Sequence, residues 1–152
     1  VILSELLRRQ SVLVPLPAAD RDRAVAALVA ALVLPEAAAS RAAIQTSVLA
    51  REAAGSTAIG NGVAIPHARI PGLERTVMAA GRTAQPIAFG SADGKPVSVF
   101  FLLAIPAEDP HSYLPVLAAL SRLASDEALL RRLRRAAGPD QFFDLIAAFP
   151  LT

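Results

Sequence analysis

The chain has no cysteine. That excludes disulfide staples, thiolate chemistry and Cys-based zinc sites, and it fits a reducing cytoplasm, the expected location. Imidazole is nearly as scarce, with His67 and His111 the two histidines in 152 residues. Lysine occurs once, at Lys95. No Gly-Lys-Ser/Thr step follows the glycines, so there is no phosphate-binding P-loop, and Ile65 stands where a dinucleotide fingerprint needs glycine or alanine. Two histidines 44 residues apart, with no HExxH helix, give no reason to expect a metal. Although 54% of the residues are hydrophobic, alanine supplies much of that share, and no apolar run approaches the roughly 18 residues of a membrane span. The opening Val1-Ile2-Leu3-Ser4-Glu5 has no basic stretch leading into a long apolar run, so no signal peptide is expected. A formal charge of only +2 is weak ground for nucleic-acid binding, and no nucleic-acid partner is expected. Arg131, Arg132, Arg134 and Arg135 cluster, but on a helix they spread widely around inward-pointing Leu129, Leu130 and Leu133. A solvated helix face is the expectation.

What the chain does contain is glycine and proline placed to deliver a histidine. Gly60-Asn61-Gly62 reads as a tight reversal, in which Asn61 and Gly62 tolerate the positive φ of a two-residue hairpin turn. Val63-Ala64-Ile65 is then the returning strand. Pro66 biases Ile65 to an extended conformation and removes a backbone donor, so the strand is expected to end there, with His67 at a rigid strand end. Histidine is the side chain best suited to act as a neutral nucleophile or proton carrier near neutral pH.

The length suits one domain, 1–152, with a substantial core. A helix is expected over residues 2–9 and a strand over 11–16, where Pro15 suits a sheet edge. Asp20 is a good N-cap for a helix over 21–33, with Val25, Leu28, Val29 and Leu32 at helical spacing. A further helix runs through Ile44, Val48 and Leu49 and stops at Gly55, which puts Arg51 in its last turn. Residues 76–83 read as a strand. The apolar run 97–105, bounded by Pro96 and Pro106 and rich in β-branched and aromatic residues, reads as a central strand buried on both faces. Helices follow over 111–124, 126–136 and 139–148; Pro115 places His111 and Ser112 in the opening turn or the loop before it. The fold class is α/β (α+β): three layers, a mixed β-sheet flanked by helices on both faces.

Arg51-Glu52, Gly55-Ser56-Thr57 and Ile59-Gly60-Asn61-Gly62-Val63-Ala64-Ile65-Pro66-His67 fall at the spacing of a known family. With Pro86-Ile87-Ala88-Phe89, the run from Pro96-Val97 to Leu103, Ile105-Pro106-Ala107 with His111, and the segment from Leu129 to Ala136, the chain resembles the enzyme IIA domains of the bacterial phosphotransferase system (PTS), of the fructose/mannitol/nitrogen-regulatory type. The resemblance covers nearly the whole chain. It departs in an alanine-rich stretch, 34–43, that is longer than usual, and in Ala58, where the family often has glycine. It implies the same three-layer fold, a phosphorylated histidine at His67, a second active-site histidine at His111 and a phosphate-contacting arginine at Arg51. It also implies a phosphohistidine donor such as HPr or its nitrogen-branch relative, a IIB cysteine as acceptor or retention of the group as a regulatory mark, and no cofactor.

The residues themselves permit that chemistry. Phosphoryl transfer through histidine needs a neutral ring nitrogen, an in-line approach and donors for the phosphoryl oxygens. His67 supplies the nitrogen, His111 a second donor and Arg51 a fork of donors. Ser56, Thr57 and the backbone amides of Gly60, Asn61 and Gly62 are further candidates. His111 as a helix cap and Arg51 as an exposed ion-pair partner are the plainer alternatives. For docking, Ile65, Ile70 and Leu73 are the expected apolar rim, with Glu52, Glu74 and Asp109 as charged neighbours. The match to nitrogen-regulatory members favours regulation; a sugar-specific IIA component and an unphosphorylated regulatory binding module of the same fold are the alternatives.

Overall fold

In the computed structural model, which describes residues 3–35 and 40–150, the apolar run after Pro96 forms β6 (Val97–Pro106), buried at every position. It is the sheet's centre. On one side β6 pairs antiparallel with β5 (Val77–Ile87); on the other it pairs parallel with β3 (Val63–Ala64) and then β4 (His67–Ile70). β1 (Leu7–Leu13) adds to β5 in parallel as one edge, and β2 (Ala58–Gly60) closes a hairpin onto β3 as the other. The sheet is mixed, as expected.

Side chains along β6 serve two cores, because successive residues point to opposite faces. Val99, Phe101, Leu103 and Ile105 pack under α1 (Leu3–Leu6), α4 (Leu114–Ala124), α5 (Glu127–Arg135) and α6 (Pro139–Ala147). Phe100, Leu102 and Ala104 pack under α2 (Arg21–Ala31) and α3 (Arg41–Ala53). Caps fix where these helices begin: Asp20 Oδ1 accepts from Arg23 N at 2.8 Å, Ser40 Oγ from Ala43 N at 3.1 Å and Asp126 Oδ1 from Leu129 N at 3.0 Å. Pro139 opens α6 in its first turn, where its missing N–H costs nothing. Among the described residues no helix is long and apolar enough to cross a membrane.

The N-terminal expectation needs correction. The helix expected over residues 2–9 stops at Leu6, with residue 2 outside the described residues, and the strand begins at Leu7 rather than at residue 11. Pairing with β5 overrides a helical pattern too short to sustain itself. β1 advances from Leu7 to Val12 while β5 advances only from Met78 to Ala80, so residues 8–11 form a bulge. β1 remains an edge strand, and Pro15 lies just past its end. The helix expected over 21–33 ends at Ala31, and the strand expected over 76–83 continues to Ile87. Of the alanine-rich stretch 34–43, residues 36–39 lie outside the described residues. The helix expected from residue 111 begins instead as a 3-10 turn, Pro110–Tyr113, ahead of α4.

Candidate active site around His67

The hairpin that delivers His67 forms as its sequence dictates: Asn61 and Gly62 both have positive φ, 56° and 74°, as a two-residue turn of this hand requires. Gly62 O accepts from Ser98 N at 3.0 Å and Val99 N at 3.2 Å, which seats the turn on the start of β6. Asn61 Nδ2 donates to Ala124 O at 2.8 Å. Arg134 donates from Nε to Ser98 Oγ at 3.2 Å and from Nη2 to Asn61 O. One member of the arginine cluster is therefore a clamp on the hairpin rather than part of a purely solvated face. Leu129, Leu130 and Leu133 point inward as expected.

His67 does not end a strand; it opens β4, opposite Leu103. Pro66 has no N–H to give, but its carbonyl accepts from Leu103 N at 2.9 Å, so the edge of β6 passes from β3 to β4 across the Ile65-Pro66 step. Ile65 donates its own N–H to Thr57 O at 3.1 Å and leaves its carbonyl to the histidine, whose Nδ1 lies 2.8 Å away. A carbonyl only accepts, so Nδ1 carries a proton in this contact, and in the neutral form of the ring the lone pair lies on Nε2.

The half-buried His67 ring stacks on Tyr113 of the 3-10 turn, with centroids 6.0 Å apart and planes inclined by 25°. Both line a depression of about 530 Å³ together with Ser47, Ala50 and Arg51 of α3 and Arg69 of β4. Arg51 sits in the last turn of α3, exposed, and donates from Nη1 to Gly55 O at 2.8 Å. Arg69 stands two residues after His67 on the same face of β4. Two arginines thus line the same depression as the His67 imidazole, an arrangement that attracts a doubly charged phosphoryl group and can donate to its oxygens.

The other expected contributors are not among the residues that line this depression. His111 is exposed on the 3-10 turn, and the residue of that turn that meets His67 is Tyr113. Ser56 Oγ donates to Phe89 O at 2.9 Å and accepts from Ala58 N at 3.1 Å. Thr57 gives both N–H, at 3.2 Å, and hydroxyl to Glu52. These hydroxyls hold the scaffold. Gly60 belongs to β2, while Asn61 and Gly62 border a separate depression with Lys95 and Arg134. The expected apolar rim is corrected: Ile65, Ile70 and Leu73 are 1%, 2% and 3% exposed, because the β3–β4 segment beside β6 turns Ile65 and Ile70 into the two cores and Leu73, just past β4, packs into the second of them. Glu52, at 3% exposed, is an internal brace, not a charged fringe; Glu74 and Asp109 are exposed. Leu114, which follows Tyr113 in the chain, is 48% exposed. Arg69 was legible in hindsight from its two-residue spacing to His67; Tyr113 carried no such signal. Among the described residues no cluster of three or more His, Asp or Glu could hold a metal ion.

With this geometry in view, comparisons place the chain among known proteins. The family profile described as "Phosphoenolpyruvate-dependent sugar phosphotransferase system, EIIA 2" matches residues 5–149. A nitrogen regulatory protein of Klebsiella oxytoca is 38% identical over 103 residues, 66% of this chain and 62% of that protein, so the match spans less than two thirds of that relative. The crystal structure of nitrogen regulatory protein IIA-Ntr from Neisseria meningitidis aligns with a TM-score of 0.87 at 28% identity, over 95% of this chain and 98% of that one. The complex of enzyme IIA mannitol with phosphorylated enzyme IIB mannitol from Escherichia coli aligns with a TM-score of 0.74 at 17% identity, over 93% of this chain and 99% of that one, a likeness of fold. By sequence profile, by relatives and by fold, the chain belongs to the EIIA type 2 family of the phosphoenolpyruvate-dependent sugar phosphotransferase system.

Proposed function

We propose that this chain, as a single domain over 1–152, is a cytoplasmic phosphocarrier with a nitrogen-regulatory role. His67 accepts a phosphoryl group from a phosphohistidine donor of the HPr type and either passes it to a IIB cysteine or holds it as a regulatory mark. The observation that carries this reading is the Nδ1 contact to Ile65 O at 2.8 Å, which leaves Nε2 as the nucleophile in a depression flanked by Arg51 and Arg69. The Nε2 lone pair forms a bond to phosphorus as the donor's N–P bond breaks, and that bond's electron pair returns to the donor ring. Arg51 and Arg69 stabilise the charge spread over the transferring oxygens. Tyr113, stacked on the ring, limits its rotation and so preserves the line of attack. His111, on the same turn, is the second donor once the partner closes over the site.

The role as a regulatory carrier rests on the named relatives; a sugar-specific IIA role uses the same site and differs in whether a IIB acceptor discharges it. Incubation with a phosphorylated HPr-type donor, followed by location of the acid-labile phosphate, tests the proposal. His67→Ala abolishes labelling. His111→Ala and Arg51→Ala each slow transfer at least about tenfold, roughly 1.4 kcal/mol of barrier, in a folded protein. Stable label on His111 instead of His67 would reverse the assignment.

A further inference from the structure

Ser47 lines the His67 depression from α3, one turn before Arg51 and on the same side of that helix. A serine inside a helix commonly turns its hydroxyl back onto the carbonyl four residues earlier, which here is that of Ala43. Ser47 makes no such bond and has no other hydrogen-bond partner among the described residues. It is half-buried, yet its oxygen keeps solvent-accessible surface, unlike the sealed hydroxyls of Ser11 and Thr76. A free donor therefore opens into the space that His67, Arg51 and Arg69 also line, and no carboxylate lines that space to compete for it. Serine is also a poorer helix former than alanine, which α3 carries at Ala42, Ala43, Ala50 and Ala53, so the hydroxyl brings the helix no local benefit.

We propose that Ser47 is a further phosphoryl-contacting residue: once His67 carries the group, the Ser47 hydroxyl donates to one of its oxygens. The inference rests on His67 as the phosphoryl acceptor and adds what holds the group there. A phosphoryl group offers three strong acceptor oxygens and up to about two negative charges. Arg51 and Arg69 already match that charge, and part of the Arg51 fork is committed to Gly55 O at 2.8 Å. A hydroxyl supplies another donor without adding charge. Ser47 keeps its proton throughout and forms no bond to phosphorus, because activating a serine oxygen requires an adjacent base. The imidazole that lines the depression has Nδ1 on Ile65 O, and its Nε2 is occupied by the group itself. The donated hydrogen bond exists in the phosphorylated state and not in the free one, so it shifts the equilibrium with the donor towards this chain.

The distribution of label at equilibrium tests this, with the full chain and a phosphorylated HPr-type donor: the ratio of phosphorylated to free chain is read against that of the donor, and the phosphohistidine is followed by its phosphorus NMR resonance. Ser47→Ala should lower the equilibrium constant at least about fivefold, roughly 1 kcal/mol, and move the resonance. Ser47→Thr, which keeps a hydroxyl, should stay within about twofold of the unsubstituted chain. The unfolding midpoint of Ser47→Ala should be unchanged or raised, since alanine favours the helix. An unchanged constant and resonance in Ser47→Ala overturn the proposal while leaving His67 as the acceptor. So does a loss that Ser47→Thr fails to restore and that comes with a lower unfolding midpoint, which describes a structural residue. Acid-stable label on Ser47 overturns it as well, since that describes an acceptor. Absence of label on His67 in the unsubstituted chain overturns the acceptor reading itself and this inference with it.

Discussion

Glu52 is the residue whose removal says most about how the site is held. It lies in the last turn of α3, next to Arg51, and its carboxyl takes both donors of Thr57, the N–H at 3.2 Å and the hydroxyl. Both side chains are buried, Glu52 to 3% and Thr57 to 6% exposure. This contact joins the end of α3 to the start of the hairpin that delivers His67, so it sets where Arg51 stands relative to the ring. Glu52→Ala leaves two buried donors unpaired; at roughly 1–2 kcal/mol each the expected cost is about 3 kcal/mol. Urea unfolding followed by circular dichroism should show a lower midpoint with an unchanged slope. Thr57→Val removes the hydroxyl partner, and the double variant should be less destabilised than the sum of the singles by about 1 kcal/mol. Phosphoryl transfer in buffer, where Glu52→Ala is still mostly folded, should fall because Arg51 is no longer held. A loss below about 0.5 kcal/mol, or strict additivity in the cycle, would refute the brace.

Other variants probe the remaining parts. Gly62→Ala places a methyl at φ +74° and 2.7 Å from Arg134 Nη2, and should cost about 1–2 kcal/mol for the backbone plus loss of the clamp; adding Arg134→Ala should relieve the clash but not the backbone cost, as read from unfolding midpoints. Arg69→Ala should slow transfer about tenfold without changing the unfolding midpoint, measured with the phosphorylated donor. Tyr113→Phe should transfer at the wild-type rate while Tyr113→Ala is slower, because stacking rather than the hydroxyl is proposed to hold the ring. EDTA should leave the rate unchanged, and recovery of a lost rate by magnesium or zinc would argue for a metal. Titration with the donor should move amides within 56–75 and 107–114 and leave 131–135 quiet.

The sequence made the centre of this fold legible for a physical reason. A continuous apolar run between prolines has few solutions besides a doubly covered strand, and Asn-Gly at a reversal has few besides this hairpin turn. Arg51 was placed on its helix correctly because Gly55 marked where that helix stops. What was not legible depended on pairing between distant segments. Leu7 looks helical in isolation but pairs with Met78, and Ile65 and Ile70 look like surface anchors but belong to the segment that lies along β6, with Leu73 buried just beyond it. The choice of Tyr113 over His111 as the residue against His67 depends on how a 3-10 turn is rotated, and periodicity over four residues does not encode that.

The position of β4 has a consequence for the order in which the protein forms. The turn at Asn61-Gly62 is local and can close early, but His67's strand finds its sheet partner only in β6, whose facing residue Leu103 lies far along the chain. Closing that loop costs entropy before it returns any contact. The setting of His67 is therefore expected to assemble late, after the sheet's middle has come together, and a nascent chain that ends before residue 97 lacks the strand that positions it. A donor meeting such a fragment should find a histidine without its tautomer lock, so the ability to take label marks completed folding as well as chemistry.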